Sequence, residues 1–223
     1  MIRRTMFFKV RDDAKPDQVA KLEDLVRGCT KEIPGVKRLS LGRDLDPRKL
    51  YTHVWDMDFA TNEAVMGYGP HAYHMNTLMP YFNRNSPTGV VEKLDYAYYK
   101  PVSVGTRPLN KGLIRRVMFF QMMPTASKAQ IAEVEGKVLE MPKKIPAIAN
   151  WALARATEHR MPNPWTHVWE LEFADQAGLD AYGKDRFHHD VVAPYFRPDS
   201  ATRVVQAINI AWYKTDMPLI ARD

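Results

Sequence analysis

Two stretches of the chain space their apolar residues three or four apart, as an amphipathic helix does. The apolar stripes consist of Val19, Leu22, Val26 and Cys29 in the first stretch and of Ile131, Val134, Val138 and Met141 in the second. Pro16 suits the first turn of the earlier helix, and Ser127 followed by Gln130 predicts a capping box for the later one. Pro34 and Pro146 follow the stripes and end both helices.

Runs rich in apolar and aromatic residues, partly alternating with polar ones, predict four strands in each half of the chain. They cover 2–10, 36–41, 51–59 and 90–99, and then 114–122, 148–154, 165–173 and 204–213. In the third strand His53, Trp55 and Phe59 share one apolar face, because successive side chains point to opposite faces. A second helix begins near Asn62 in the first half and after Asp175 in the second, so each half has the order βαββαβ.

The two halves repeat one sequence. The segment 2–8 returns at 114–120, and 52–55 returns unchanged at 166–169. The offset rises from 112 to 114 residues, which places a two-residue insertion in 157–165. An offset of this length indicates two homologous domains and is too long for a solenoid repeat.

The order βαββαβ is the ferredoxin-like pattern, in which two helices cover one face of a sheet and leave the other bare. We therefore predict an α+β chain with one domain at 1–100, a linker at 101–112 and a second domain at 113–223. The two ferredoxin-like βαββαβ domains are expected to pack sheet to sheet as an intrachain α+β barrel. This pseudo-dimer would cover both bare faces, and further association into a homodimer stays open.

Composition narrows the classes of partner. The formal net charge of +6 divides evenly between the halves without a basic run, so no nucleic-acid partner is predicted. The single cysteine, Cys29, excludes an internal disulfide and suits the cytoplasm. The N-terminal apolar run is too short for a signal peptide, and no stretch is long enough to span a membrane. The expected partner is a small-molecule substrate.

A tyrosine and a histidine recur six residues apart, as Tyr68 with His74 and as Tyr182 with His188. On an unbroken helix the two side chains would point in different directions. The Gly69-Pro70 break, and Gly183 in the second copy, could turn both groups toward one pocket. Alternatively, each histidine caps a helix turn or bonds to a backbone carbonyl. His53 and His167, on apolar strand faces, need polar partners if they are buried.

These residues resemble a known family. The segment from Tyr51 to Phe59, followed by Tyr68, His71 and His74, is similar to the stress-responsive A/B barrel (Dabb) domain, and the resemblance covers both copies. In a polyketide cyclase of that family a tyrosine and a histidine are proposed to drive an intramolecular aldol condensation. The resemblance places these roles on Tyr68 and His74.

The resemblance implies four catalytic residues, namely His74, Tyr68, His188 and Tyr182. It and the apolar strand faces suggest a substrate-binding set of Arg4, His53, Trp55, His71, Arg116, His167 and Trp169. Asp185 stands where His71 would recur. Arg4 and Arg116 replace a histidine of the cyclase, and an arginine facing a pocket suits a carboxylate or phenolate. It could also simply lie at a strand end.

The leading hypothesis is a cofactor-free enzyme that acts on an aromatic or polyketide-like molecule. His74 would abstract a proton next to a carbonyl, and a carbon–carbon bond would then form or break, as in cyclases and lyases. The first copy, with its Gly-Pro break and His71, is favoured if only one is active. The alternatives are a non-catalytic stress-response or ligand-binding protein and, third, a haem-binding protein that uses His74 or His188. No metal site is predicted.

Overall fold

The computed structural model describes residues 1–48, 50–107, 113–157 and 161–220. Within them the chain forms two compact units. The first contains Met1–Lys100, and the second contains Pro101–Thr157 and Pro164–Asp223. Each unit follows the βαββαβ order that the sequence predicts.

The first unit is an antiparallel sheet with helices between its strands. Its elements are β1 (Ile2–Val10), α1 (Pro16–Glu32), β2 (Val36–Arg43), β3 (His53–Phe59), α2 (Asn62–Tyr68), a π-helical segment (Tyr73–Leu78), α3 (Met79–Phe82) and β4 (Val91–Gly105). The strand order is β2-β3-β1-β4, so β1 pairs with both β3 and β4. The first strand therefore lies at the centre of the sheet.

The second unit repeats this architecture. Its elements are β5 (Leu113–Met122), α4 (Lys128–Lys144), β6 (Asn150–Ala156), β7 (His167–Phe173), α5 (Gln176–Lys184), a π-helical segment (Phe187–Val192), a short 3₁₀ turn (Ala193–Tyr195) and β8 (Val205–Thr215). The strand order is β6-β7-β5-β8. The first residues of the expected linker belong to a strand, because β4 continues to Gly105. This end of β4 is part of the second unit, where it lies beside β6. Residues 108–112 lie outside the described residues, as does part of the predicted insertion.

The first helix of each unit buries the last three residues of its predicted apolar stripe, while Val19 and Ile131 are half-buried. Leu22, Val26 and Cys29 are fully buried in the first unit, and burial raises the pKa of the Cys29 thiol to about 12. The predicted capping box of α4 is confirmed, since the Ser127 hydroxyl accepts from the Gln130 amide and the Gln130 side chain accepts from the Ser127 amide. These contacts satisfy donors that a helix start leaves unpaired.

The opposite sheet face of the first unit is buried as well, and it is charged. Arg3 donates from Nε and Nη2 to the two carboxylate oxygens of Asp58, at 2.7 and 3.0 Å. Arg38 donates to the same carboxylate at 2.9 Å. Arg3 and Asp58 are both almost fully buried. Adjacent residues of one strand point to opposite faces, so Arg4 projects to the other side, where the candidate site lies.

Candidate active site

The turn after α2 brings Tyr68 and His74 together. The helix ends at Tyr68, Gly69 and Pro70 form a turn, and the chain resumes in the π-helical segment that carries His74. The two ring centroids are 4.5 Å apart, with an angle of 50° between the ring planes. The prediction that a break at Gly69-Pro70 lets these side chains converge is confirmed.

The wide helical turn around His74 follows from a proline. The Met79 amide donates to the carbonyl of His74, five residues earlier, as in a π-helix. The next residue, Pro80, has no amide hydrogen, and its ring crowds the carbonyl four residues before it. The second copy repeats this arrangement, with the Ala193 amide bound to the His188 carbonyl and Pro194 following. Both histidines therefore lie on a turn wider than an α-helix.

One backbone contact fixes the His74 ring. Its Nδ1 lies 2.7 Å from the carbonyl oxygen of Gly69, which can only accept, so Nδ1 carries the proton. The other nitrogen, Nε2, keeps its lone pair when the ring is neutral. Burial lowers the pKa of His74 against the opposing effect of this hydrogen bond, and the Arg4 charge lowers it further. The ring is therefore neutral at neutral pH, with Nε2 available as a base.

A cavity of about 770 Å³ opens beside this pair. Its polar groups include those of Arg4, Tyr68, Gly69 and His74. Much of the remaining wall is aromatic or aliphatic and includes Trp55, Phe82, Leu94, Tyr96 and Tyr98. Leu94, Tyr96 and Tyr98 alternate along β4, so they share one face of the strand. The cavity has the apolar wall and few polar groups that are typical of a small-molecule site.

Several buried polar atoms beside the cavity have no hydrogen-bond partner among the described residues. They are Nε and Nη2 of Arg4, Nε1 of Trp55 and the hydroxyl oxygen of Tyr68. All four can donate. The guanidinium carbon of Arg4 is 4.3 Å from the Trp55 ring centroid and 4.9 Å from that of Tyr68. Burial raises the pKa of Tyr68, so its phenol stays protonated at neutral pH.

The second copy keeps the pair but not its backbone contact. The rings of Tyr182 and His188 are again 4.5 Å apart. However, His189 Nε2 donates to the carbonyl of Gly183, which is the counterpart of Gly69. Nδ1 of His188 is buried without a partner in the part of the chain that the structure describes. Burial, together with the Arg116 charge, lowers the pKa of His188 to about 4.

The break of the second copy lies two residues later than predicted. The sequence analysis placed it at Gly183, but α5 continues through Gly183 to Lys184. Asp185 ends the helix in extended conformation, and its carboxylate accepts from the amides of Phe187 and His188. Glycine can lie inside a helix, so Gly183 does not end α5. The helix ends at Asp185, because the Asp185 carboxylate caps the start of the following helical segment. The predicted site of the break was therefore wrong.

His53 and His167 are bound by neighbouring side chains. The Nε2 atom of His53 lies 3.1 Å from Glu23, and its Nδ1 lies 2.8 Å from Thr52 Oγ1. The His167 ring makes the same contacts with Glu135 and Thr166, at 3.0 and 2.8 Å. Burial lowers the pKa of both rings. The two histidines have the polar partners that burial requires, and His53 is not part of the cavity wall.

The remaining predicted binding residues lie in different places. His71 Nδ1 accepts from the Tyr73 amide at the start of the π-helical segment, as Asp185 does in the second copy, and it does not line the cavity. Arg116 lies over the Tyr182 ring at 5.2 Å and donates to Met118 Sδ. Trp169 is fully buried, and its Nε1 has no partner among the described residues.

Three contributors escaped the sequence analysis. Glu23 and Glu135 hold the strand histidines, and the Gly69 carbonyl orients His74. The glutamates stand at equivalent positions of the two copies, so a search for repeated carboxylates would have found them. The carbonyl belongs to the backbone, and no residue pattern indicates it.

No group of three or more histidine, cysteine, aspartate or glutamate side chains in the described residues could hold a metal ion. None of their helices has the length and apolar character needed to cross a membrane.

Comparison with known proteins identifies the repeated unit. Residues 2–88 and 114–209 match the family model described as "Stress responsive A/B Barrel Domain" (Dabb). An anthrone oxidase-like protein is similar over 96% of this chain and 90% of that chain, at 10% identity and a TM-score of 0.70. A monooxygenase-like protein from Fusobacterium nucleatum subsp. nucleatum is similar over 96% and 91%, at 12% identity and a TM-score of 0.63. These identities show the fold alone, and no curated protein matches.

Proposed function

Because this chain belongs to the stress-responsive A/B barrel (Dabb) family, we propose that its first copy is an enzyme site that abstracts a proton next to a carbonyl group. The substrate would be a small aromatic or polyketide-like molecule, and a carbon–carbon bond would then form or break. The observation that carries this proposal is the His74 ring, whose Nδ1 is bound to the Gly69 carbonyl beside the cavity.

His74 would act as the general base through Nε2. A base needs a lone pair at a fixed position and a pKa that leaves it unprotonated at working pH. The hydrogen bond of Nδ1 to Gly69 supplies the first requirement, and the lowered pKa of His74 supplies the second. Activity should therefore fall in acid, as the pH drops through the pKa of His74.

Tyr68 would stabilise the enolate that forms when the proton leaves. Its hydroxyl is a donor without a partner among the described residues, and its raised pKa keeps it protonated. A donor that is already in place when negative charge develops lowers the barrier without reorganisation. Trp55 Nε1, on the same side of the sheet, is a second donor for which the described part of the chain supplies no partner.

The cavity wall favours a flat, largely apolar substrate. Trp55, Phe82, Tyr96 and Tyr98 line it, and aromatic ligands pack well against aromatic side chains. The enolate of an aromatic or polyketide-like ketone could attack a second carbonyl of the same molecule, which is the cyclase reaction. The reverse reaction would cleave the bond, as in a lyase.

Oxidation is a second candidate function. The similarity to an anthrone oxidase-like protein extends over both copies. A carbanion formed by the same proton abstraction could react with dioxygen rather than with a carbonyl carbon. Consumption of oxygen during turnover would distinguish this candidate from a cyclase or lyase.

Proton abstraction can be tested before the natural substrate is known. The protein would be mixed with α-tetralone or methyl naphthyl ketone in deuterium oxide, and loss of the proton signal next to the carbonyl would be followed by NMR. We expect exchange to be faster than in buffer, and we expect His74→Ala to reduce it by roughly 100-fold or more. Tyr68→Phe should reduce it by at least about tenfold.

Arg48→Gln provides a matched control, because it replaces an exposed arginine that pairs with Asp46 away from the cavity. Its exchange rate should equal that of the unaltered protein. If the ketones bind but exchange no faster than in buffer, the cavity holds ligands without acting as a base. That outcome would favour the non-catalytic, ligand-binding alternative.

A further inference from the structure

The Arg4 guanidinium is a buried cation with one edge unused. Its Nε and Nη2 atoms have no hydrogen-bond partner in the described part of the chain, and the residue is only 3% exposed. Burying a cation without a counter-ion is costly, so such residues normally pair with an anion. None of the described residues that line the cavity is an aspartate or glutamate.

The preceding residue shows what this edge can bind. Arg3 uses the same two atoms, Nε and Nη2, to hold both oxygens of Asp58. The planar fork of a guanidinium matches the two oxygens of a carboxylate in this side-on arrangement. Arg3 and Arg4 thus present the same donor pair on opposite faces of one sheet, and within the described residues a carboxylate binds only that of Arg3.

Aromatic contacts cover the faces of the Arg4 guanidinium and leave its edge buried without a hydrogen-bond partner among the described residues. Trp55 and Tyr68 both contact the guanidinium of Arg4 through their ring faces. Burial disfavours the Arg4 cation, but the nearby Tyr68 and Tyr98 phenols outweigh this effect and raise its pKa. Arg4 therefore remains charged inside an apolar cavity.

We propose that the first-copy cavity binds ligands that carry a carboxylate, held by the Nε and Nη2 edge of Arg4. This inference deepens the proposed function and rests on it, since it makes the substrate an aromatic or polyketide-like keto acid. The carboxylate anchors the molecule at Arg4, and its ring system lies along Trp55 and Tyr96. The Tyr68 hydroxyl is left free for the ketone oxygen.

Isosteric probes can test this anchor without turnover. Binding of β-naphthoate and of β-naphthamide would be measured by isothermal titration calorimetry, because the two differ mainly in charge. The carboxylate should bind at least about tenfold more tightly than the amide. Arg4→Gln should weaken naphthoate binding to the level of the amide and leave the amide unchanged.

Two further variants make the test specific. Arg48→Gln, which removes the same charge from the surface, should leave both affinities unaltered. Arg4→Lys keeps the charge but cannot present two parallel donors, so naphthoate should bind at least about threefold more weakly. This variant also serves if Arg4→Gln does not fold.

Equal or undetectable binding of the two probes would overturn the inference, as would unchanged naphthoate affinity in Arg4→Gln or Arg4→Lys. Such a result would not touch the proposed proton abstraction, because the ketone probes carry no carboxylate. Conversely, tight naphthoate binding without ketone exchange would support carboxylate binding by Arg4 and would contradict the proposed proton abstraction.

Discussion

The two copies keep the same pair of rings and differ in what holds the histidine. Tyr68 with His74 and Tyr182 with His188 both lie at 4.5 Å. In the first copy the Gly69 carbonyl accepts from His74, whereas in the second copy His189 has taken the equivalent carbonyl. A repeated residue pair is therefore not a repeated site, because His189, which has no histidine counterpart in the first copy, binds the carbonyl that would orient the His188 ring.

The residue that lies opposite each arginine on the neighbouring strand differs as well. Arg4 lies opposite Tyr98 in the register of β1 with β4, and Arg116 lies opposite Trp212 in that of β5 with β8. Arg4 thus lies opposite a phenol and Arg116 opposite an indole. This difference is a further reason to propose the first copy as the site of proton abstraction.

The largest expected effect separates the two histidines. His74→Ala should lower the rate of ketone proton exchange by roughly 100-fold or more, because it removes the proposed general base. His188→Ala should lower it by less than about threefold, since without an oriented ring His188 contributes little. NMR exchange rates of both variants at one protein concentration would check this. Equal losses would break the distinction between the copies.

Both copies bind their strand histidine through a glutamate, so removing either glutamate should have the same effect on stability. Glu23→Ala and Glu135→Ala each leave a buried histidine nitrogen without its carboxylate partner. Each should lower the free energy of unfolding by about 1–3 kcal/mol. Urea denaturation would measure both variants. A loss in only one copy would mean that the two networks, despite matching distances, are not equivalent.

Acid should act on the second copy through His188. Its pKa in the folded protein is about 4, below the ordinary value of 6.5, so the unfolded chain takes up the proton more readily. The stability that this ring contributes is complete above pH 6.5 and is lost as the pH falls toward about 4. Urea denaturation across this window should show a smaller loss for His188→Gln. An identical pH dependence would contradict the assignment.

The smallest effects concern the two glycines. Gly69 has an ordinary helical conformation, Gly183 lies inside α5, and a Cβ at either position would meet open space. Gly183→Ala should therefore stabilise the protein by about 0.4–1 kcal/mol, chiefly by restricting the unfolded chain. Gly69→Ala should not, because Gly69 is helical and the Pro70 ring crowds a Cβ on the residue before it. Thermal unfolding would measure both variants. Destabilisation by Gly183→Ala would show that the second break needs glycine as well as Asp185.

The fold could be predicted from sequence because its signals are local and occur twice. The stripes around Leu22 and Val134 and the proline stops fixed the first helix of each copy to within a residue or two. The convergence of Tyr68 and His74 was predictable because Pro70 breaks the helix between them. The matching break of the second copy was misplaced, because Gly183 fits a helix as well as a turn.

The parts that could not be predicted depend on contacts between distant segments. His53 lies on the same strand face as Trp55, but its partner Glu23 comes from another element. His71 has the residue type of a pocket group, yet the π-helical segment uses it as a cap. That Arg4 Nε and Nη2 lack a partner among the described residues could be recognised only from the structure, since it depends on every residue that lines the cavity.

The protonation pattern of the histidine rings tests the central claim most directly. Long-range proton–nitrogen NMR of the isotope-labelled protein at neutral pH distinguishes the two neutral forms of each ring. We predict that His74 carries its proton on Nδ1 and none on Nε2. For His188 we predict a mixture of the two neutral forms. A proton on Nε2 of His74 would occupy the atom assigned as the base and would contradict the account.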